Sequence, residues 1–385
     1  MQYRKFGRLD WQASALGFGC MRLPVVDSED RSKIDEAEAT RMLHYAIDHG
    51  LNYVDTAYGY HHGESERFVG RVLQGGYRQK VHLATKLPIW HVNGPEDFDR
   101  LLNEQLEKLQ TEWVDFYLLH GLDADGWKKV YQFGVLDWAE KAKASGRIHN
   151  LGFSFHDEFP VFKEIVDSYP WAMCQIQHNY MDIEHQAGTQ GLRYAASQGL
   201  AVVIMEPLLG GRLAKAPAQV QAVWEKATRR RTPADWALQW LWDQPEVSVV
   251  LSGMSTMQQV EENIASAAVS GPGSLTEEER KLVEQARQTY EGLCPIPCTQ
   301  CEYCLPCPNG VKIPVNFRIY NDGAMYGDLE EARRAYQHWL KDDERASCCE
   351  ACRECEEKCP QHIPISEWMP LVQDVLGGNQ PYPSR

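Results

Sequence analysis

Between residues 14 and 268, short β-branched runs alternate with amphipathic stretches, and the alternation repeats eight times. The runs are SALGFGC, NYVDTA, VHLATKL, VDFYLLH, RIHNLGFSF, AMCQIQH, LAVVIME and VSVVLSGM. Between them lie helical stretches such as EAEATRMLHYAIDHG, FDRLLNEQLEKLQ and TPADWALQWLWDQ, the last opened by Thr232 as cap and Pro233 in its first turn. Eight strand–helix pairs over about 250 residues predict a (β/α)8 TIM barrel. A doubly wound sheet is the alternative, but no G-x-G-x-x-G follows the first run. YRKFG and WQASALG at the start of the chain predict a hairpin that closes the barrel floor.

The rest of the 385-residue chain reads differently. GPGS breaks the alternation after residue 270, and LTEEERKLVEQARQTYEGL then predicts a bridging helix. Two cysteine runs follow: Cys298-x2-Cys301-x2-Cys304-x2-Cys307-Pro308 and Cys349-x2-Cys352-x2-Cys355-x3-Cys359-Pro360. The second matches the ferredoxin run C-x2-C-x2-C-x3-C-P, and the first is one residue short before its last cysteine. CPNGVKIP and CPQHIPI form a small internal repeat, as two pseudo-equivalent halves would. Two [4Fe–4S] clusters are therefore expected. In two-cluster ferredoxins the fourth cysteine of each run serves the other cluster. By that template Cys298, Cys301 and Cys304 take Cys359, while Cys349, Cys352 and Cys355 take Cys307. Zinc competes, since CxxC pairs also build four-cysteine sites, but evenly spaced cysteines that end twice in Cys-Pro fit cubes better.

Disulfides are the third option. MQYRKFGRLDWQ has no apolar stretch of an export signal, so a reducing cytoplasm is expected, and it disfavours them. Cys20 and Cys174 lie in apolar runs and read as inert core thiols, while Cys294 and Cys348, beside the runs, read as bystanders, with spare ligands as the alternative. NFRIYNDGAMYGDLEEARRAYQHWLKDD, between the runs, has helical pattern where a βαβ ferredoxin would need strands. A small α-helical ferredoxin-like domain is expected after the barrel. The predicted boundaries are 1–270 for the barrel, 271–293 for the bridge, 294–376 for the cysteine domain and 377–385 for a flexible tail.

A net charge of −15 disfavours nucleic acid and anionic membrane as partners, and no apolar run is long enough to span a bilayer. Chemistry in a barrel sits at the C-terminal strand ends. Asp55 ends the second run, Lys86 lies near the end of the third and His120 ends the fourth, with Tyr58 and Tyr60 in the loop after Asp55. A free tyrosine, with a pKa near 10, is a weak acid at neutral pH. A lysine ammonium held by an aspartate stabilises the phenolate and lowers that pKa. The tyrosine then protonates a carbonyl oxygen while hydride reaches its carbon, and a neutral histidine orients the oxygen. By composition alone Tyr58 and Tyr60 compete for the acid role.

Asp55-Thr56-Ala57-Tyr58-Gly59-Tyr60, with Gly63-Glu64-Ser65-Glu66 after it, resembles the signature of the aldo-keto reductases. So do ATK ending in Lys86, YLLH ending in His120 and GFS ending in Ser154. The resemblance covers about residues 1–270, and the cysteine runs resemble a branch of that family with a C-terminal ferredoxin-type 4Fe-4S extension. It implies an NADP- or NAD-dependent oxidoreductase that reduces an aldehyde or ketone to an alcohol, with Asp55, Tyr60, Lys86 and His120 as its tetrad. It favours Tyr60 over Tyr58. It also implies nicotinamide-cofactor contacts. Ser154 and Gln175 would hold the carboxamide, and Met205 would stand where many relatives stack an aromatic on the nicotinamide. Glu206, Pro207 and Leu208 follow, then Gly210, Gly211 and Arg212 in a diphosphate loop. Gly253, Met254, Ser255, Gln259, Glu262 and Asn263 would form the adenosine-phosphate site, with Met21 and Arg22 at the end of the first run.

Two departures stand out: NADP-preferring relatives often carry an Arg near position 259 and some a Lys at 253, and here these are Gln259 and Gly253. Without a guanidinium a 2′-phosphate binds less well, which puts NADPH preference in question. Substrate-pocket candidates are Trp90, His91, Trp127, Phe155 and His156. Two alternatives stay open: electron transfer between a nicotinamide and a redox partner protein through the clusters, and a non-catalytic scaffold.

Overall fold

The computed structural model describes residues 1–27 and 30–383. Two short strands, β1 (Tyr3–Lys5) and β2 (Gln12–Ser14), pair antiparallel at the start of the chain. All eight β-branched runs then form strands: β3 (Leu16–Gly19), β4 (Tyr53–Asp55), β5 (His82–Leu87), β6 (Val114–Leu122), β7 (Ile148–Phe155), β8 (Met173–Gln177), β9 (Ala201–Met205) and β10 (Val247–Ser252). They close into a barrel in the order β10-β3-β4-β5-β6-β7-β8-β9, and every neighbouring pair is parallel. The helices around them are α1 (Glu36–Asp48), α2 (Glu64–Val72), α3 (Glu96–Lys108), α4 (Ala124–Gln132), α5 (Val135–Ala144), α6 (Phe159–Ser168) and α7 (Gly188–Ser197). After these come α8 (Ala218–Trp224), α9 (Pro233–Trp242), α10 (Met257–Ala268) and α11 (Glu277–Gly292).

The α1 helix shows why these segments fold locally. Its buried residues are Ala39, Met42, Leu43, Ala46 and Ile47, which fall on one face at the 3.6-residue period. Asp35 caps it by accepting from the Glu38 N–H.

The hairpin does close the floor. Phe6, at its turn, is fully buried among Ala13, Tyr53, Phe116, Met173 and Val249. Its ring centre lies 4.7 Å from Phe116 and 4.9 Å from Trp11. Gly7, with φ +55°, runs so close to β9 that a Cβ would lie 2.4 Å from the Ala201 nitrogen. Arg4 fixes the hairpin by donating to the Val247 carbonyl at 2.8 Å and to the Trp242 carbonyl. With the floor plugged by side chains, polar groups on the strands gather at the opposite, C-terminal mouth.

The chain divides into two compact units: Met1–Gly210 with Ala234–Arg280, and Gly211–Pro233 with the chain from Lys281 onward. The second unit includes α8, α12 (Ile313–Tyr326), α13 (Leu329–Trp339), α14 (Glu354–Glu357) and α15 (Ile365–Leu376), and no strand among its described residues. The helical pattern expected between the cysteine runs becomes α12 and α13, split where Gly327 takes φ +68° and Asp328 caps the next helix. Phe317, Tyr320, Met369 and Val372 form the centre of this unit's core. The terminal stretch, expected to be mobile, is pinned as far as Tyr382: its hydroxyl donates to the Tyr320 carbonyl at 2.8 Å and its ring meets the Tyr320 ring. An aromatic three residues from the end gives that tail something to bury, which its Gly and Pro content hid.

The plug sets the first expected outcome. Phe6→Ala leaves a void among side chains that cannot collapse into it and should cost about 3–5 kcal/mol of stability. Urea unfolding checks this, and an unchanged midpoint would show that the hairpin contributes nothing to barrel closure.

Candidate active site

Neighbouring strands β4, β5 and β6 deliver Asp55, Lys86 and His120 to one end of the barrel. Lys86 is fully buried, and its Nζ donates to Asp55 Oδ1 at 2.7 Å, to the Thr56 carbonyl at 2.9 Å and to Tyr60 Oη at 3.1 Å. The ammonium thus has three oxygen acceptors, as a buried cation requires. Tyr60 meets the His120 ring edge-on with centres 6.1 Å apart. Tyr58 points elsewhere: its hydroxyl donates to Glu104 at 3.0 Å and its ring lies under the Lys108 ammonium. Of the two tyrosines, only Tyr60 touches the lysine.

The electrostatics correct one expectation. Lys86 does pull the Tyr60 phenol down, but burial pushes it up by more, and the net direction is above the usual value of 10. The phenol is therefore protonated at neutral pH, and the ammonium acts on the phenolate only as it forms. Burial also raises the Asp55 carboxyl, against the opposing pull of Lys86. The lysine is raised overall, because Asp55 and Tyr60 outweigh desolvation. Burial, helped by Lys86 and His156, holds His120 well below 6.5, so its imidazole is neutral. His120 Nδ1 is buried and has no hydrogen-bond partner among the described residues.

Ser154 and Gln175 stand on β7 and β8, both buried. Ser154 Oγ accepts from the Gly121 N–H at 2.7 Å. Gln175 Nε2 reaches Met205 Sδ at 3.7 Å, while its Oε1 is buried without a partner. A buried amide oxygen left unpaired is costly and suits a ligand N–H, such as a carboxamide. After β9 the chain turns sharply, with positive φ at Glu206 (54°), Leu209 (48°), Gly210 (69°) and Gly211 (101°). Two of these are not glycine, and such strain persists where surrounding structure enforces it.

Arg22 lies with its stem over Gly253, whose added Cβ would meet Arg22 carbons at 3.2 Å, and its guanidinium reaches toward Gly210. At the end of β10, Ser255 donates its N–H to Gln259 Oε1 at 2.7 Å and its hydroxyl to the Arg22 carbonyl at 2.7 Å. Asn263 donates to Ser252 Oγ at 3.0 Å, and Glu262 accepts from Gln258 at 2.7 Å. Met254 is core, 1% exposed, and Pro207 is also buried, so neither offers a side chain to a ligand. Gly211 and Arg212 belong to the second unit, where Arg212 pairs with Asp322.

Among the pocket candidates, Trp90 is half-exposed with its ring centre 4.9 Å from His120. Trp127 and Phe155 are core residues instead, Trp127 packing on Trp171 with centres 6.0 Å apart. Tryptophan count carries no information about which indole faces outward. The sequence also left unnoticed a buried polar network behind β5. Gln105 Nε2 donates to the Lys86 carbonyl at 3.0 Å and to Glu66 Oε1 at 2.5 Å, and Thr85 donates to the same Glu66 oxygen at 2.6 Å. The available signal was a Glu and a Gln on the apolar faces of α2 and α3.

In the second unit, Cys298, Cys301, Cys304 and Cys359 line one cavity of about 20 Å³ with Ile313 and Phe317. Burial raises the Cys355 thiol, and nearby Glu356, Cys349 and Cys307 add to that rise. The two runs also share a backbone. Positive φ flanks the second cysteine of each, at Gln300 and Glu302 in one and at Ala351 and Arg353 in the other. It recurs three residues after each Cys-Pro cysteine, at Gly310 and His362, and each of these donates its N–H back to that cysteine's carbonyl at 3.0 Å. Among the described residues, no three His, Cys, Asp or Glu side chains are gathered tightly enough to hold a single metal ion. Cys20 and Cys174 are fully buried, and burial raises both thiols, as inert core residues should be.

The Aldo/keto reductase family matches residues 15–288, ahead of the first cysteine run. The uncharacterized oxidoreductase YrpG of Bacillus subtilis (strain 168) is 27% identical over 70% of this chain and 92% of its own length. The L-galactose dehydrogenase of Arabidopsis thaliana is 26% identical over 74% of this chain and 93% of its own. Among solved structures, the aldo-keto reductase AKR11C1 from Bacillus halodurans (holo form) aligns with a TM-score of 0.62 and 27% identity, over 74% of this chain and 96% of that one.

Removing the ammonium tests the buried cluster. Lys86→Met strands Asp55 in an apolar site and should cost about 3–5 kcal/mol at neutral pH. Without Lys86 nothing opposes burial, so the folded carboxyl titrates higher still above its unfolded value. The folded state then holds a proton the unfolded state releases, and the deficit should shrink as pH falls toward the raised pKa and below it. Unfolding curves at several pH values check this; a pH-independent deficit would mean that Asp55 is not the stranded charge.

Proposed function

The chain belongs to the aldo/keto reductase family, and we propose that it reduces an aldehyde or ketone to an alcohol with NADH or NADPH. The observation that carries the proposal is the 3.1 Å contact from the Lys86 ammonium to Tyr60 Oη, with Asp55 behind it. A nicotinamide held there would supply a hydride to the carbonyl carbon. Tyr60, protonated at neutral pH, gives its proton to the oxygen that becomes negative, and Lys86 stabilises the phenolate left behind. Asp55 keeps the ammonium charged and aimed. His120, neutral, offers a ring nitrogen to the same oxygen and sets its direction. Gln175 Oε1 and Ser154 suit the carboxamide, and Arg22 suits a phosphate near Gly210. The exposed face of Trp90 beside His120 suits a flat or sugar-like substrate, in keeping with a relative named L-galactose dehydrogenase.

We assign the two cysteine groups to [4Fe–4S] clusters in the crossed arrangement. The cavity shared by Cys298, Cys301, Cys304 and Cys359 supports one group, and the proximity of Cys355 to Cys349 and Cys307 supports the other. Such clusters exchange single electrons, whereas hydride carries two. The second function to weigh is therefore electron transfer between the nicotinamide and a redox partner, favoured by these cysteine groups alone.

Tyr60→Phe should lower kcat/KM for carbonyl reduction by roughly 10²–10⁴-fold with iron content unchanged. Cys352→Ser should lower iron per chain with Tyr60 chemistry intact. Full activity in the tyrosine variant would sink the tetrad assignment. An anaerobic titration with NADH separates the two functions: a cluster absorbance that bleaches favours electron transfer, and one that persists favours the reductase. From Gly253 to Asn263 the chain has Glu261 and Glu262 but no Lys or Arg. A 2′-phosphate there meets carboxylates instead of a guanidinium, so NADH should bind at least as tightly as NADPH. Tighter NADPH binding would refute this view of the adenosine site.

A further inference from the structure

Beside His120 the mouth of the barrel carries another histidine, which the hydride and proton steps do not use. His156 follows β7, and its backbone N–H donates to the Leu122 carbonyl at the end of β6 at 2.9 Å. A Cβ on Gly121, the residue after His120, would lie 3.8 Å from His156 Cδ2. Gly121 in turn donates its N–H to Ser154 Oγ at 2.7 Å. On the other side Trp90, after β5, has its ring centre 4.9 Å from that of His120. Three adjacent strands thus present Trp90, His120 and His156 in order, all within the first unit.

The His156 ring is held in one sense. Gln186 Nε2 lies 3.3 Å from His156 Nδ1. An amide nitrogen only donates, so Nδ1 accepts and the neutral ring carries its proton on Nε2. His156 is exposed, yet desolvation of its ring holds it below the usual 6.5, so it is neutral at neutral pH. Gln186 bears two costs, a φ of +56° and an Oε1 buried without a partner among the described residues. Such costs persist where surrounding structure enforces them, and they cluster at functional sites. The charges around the ring decide what it can donate to. Glu206 and Asp123 both act on it as anions, with His185 opposing them. Two carboxylates repel a third, whereas an uncharged hydroxyl oxygen accepts from the Nε2 proton without that penalty.

We propose that His156, oriented by Gln186, is a specificity-determining residue that donates from Nε2 to a hydroxyl next to the substrate carbonyl, which makes uncharged hydroxy-aldehydes or hydroxy-ketones the substrates of this site. This rests on the assignment of carbonyl reduction to the same mouth. The hydroxyl is bound and leaves unchanged; hydride still goes to the carbonyl carbon and the Tyr60 proton to its oxygen. One neutral hydrogen bond corresponds to about two- to tenfold in kcat/KM.

Glycolaldehyde and propanal have nearly the same shape and differ by one hydroxyl. The test measures kcat/KM for each with NADH on the full-length, iron-loaded protein, and compares their ratio between variants so that hydration of the aldehydes cancels. His156→Phe keeps a flat ring without a donor and should lower the glycolaldehyde-to-propanal ratio by about two- to tenfold. His156→Gln keeps a donor and should retain most of the ratio. Gln186→Leu should lower it too, and the double variant no further than His156→Phe alone, since both act through one ring. A ratio unchanged or raised in His156→Phe, unchanged in Gln186→Leu, or as low in His156→Gln as in His156→Phe would overturn the proposal while leaving carbonyl reduction in place. If the wild-type protein reduces neither aldehyde, the assignment of carbonyl reduction fails and the proposal falls with it.

Discussion

A lysine ammonium enclosed without solvent is the constraint around which the mouth of the barrel is organised. An ammonium taken out of water is costly, and the cost is offset only where acceptors are fixed in advance. Here they come from Asp55 on β4, from the Thr56 carbonyl just beyond it, and from Tyr60 in the following loop. None of the three is placed by Lys86 itself. The parallel pairing of β4 with β5 sets Asp55 beside Ala84, so the register of two strands decides whether the charge is satisfied. The network behind β5 fixes the other side. Gln105 holds the Lys86 carbonyl, Tyr117 donates to Gln105 at 2.7 Å, and Glu66 accepts from Gln105 and Thr85. A buried carboxyl with several donors is expensive when half-satisfied and rigid when complete.

That enclosure also sets the chemistry. Lysine beside tyrosine lowers a phenol pKa in water, and the same pair in a buried site need not. Desolvation penalises the phenolate by more than one ammonium restores, so Tyr60 stays above its ordinary value. For the general-acid role proposed for Tyr60 this is useful. The proton is present at neutral pH, and the ammonium favours the state in which it has just left. His120 follows the same logic with the opposite charge, since burial beside a lysine removes its proton. The asymmetry between a protonated phenol and a neutral imidazole comes from one dry cavity and one cation.

Much of this was legible in the sequence. Eight β-branched runs predicted eight strands, because parallel strands buried on both faces admit few residue types. The strand-end rule located Asp55, Lys86 and His120 because the polar residue after an apolar run is conspicuous. What the sequence could not give is burial that depends on distant neighbours. Trp127 and Met254 lie in the right loops yet face the core, and nothing local distinguishes them from Trp90, which faces out. The direction of the Tyr60 shift was hidden for the same reason, being a balance between enclosure and one neighbour. Glu66 and Gln105 fall on the apolar faces of α2 and α3, and only packing shows what they bond to there.

The cysteine unit answers a different physical problem. A loop with a cysteine every third residue has little regular structure to satisfy its backbone, and it reverses direction through left-handed residues that cost about 1–2 kcal/mol each unless glycine. Gln300, Glu302, Ala351 and Arg353 all take that conformation, at matching places in two runs about fifty residues apart. Chance strain would not repeat in register. Side-chain amides hold the ends: Asn321 pairs with both backbone groups of Ile296, and Asn316 donates to the Lys312 and Glu344 carbonyls. Cys359 lines the same cavity as the first run, so the two runs cannot separate without opening the core that Phe317 fills. Contacts that span long stretches of chain constrain such a unit most, because the entropy of a closed loop grows with its length. Strained turns repeated in register and a cavity lined by cysteines of both runs point to one cause: the thiols, rather than the helices, dictate the path of this part of the chain.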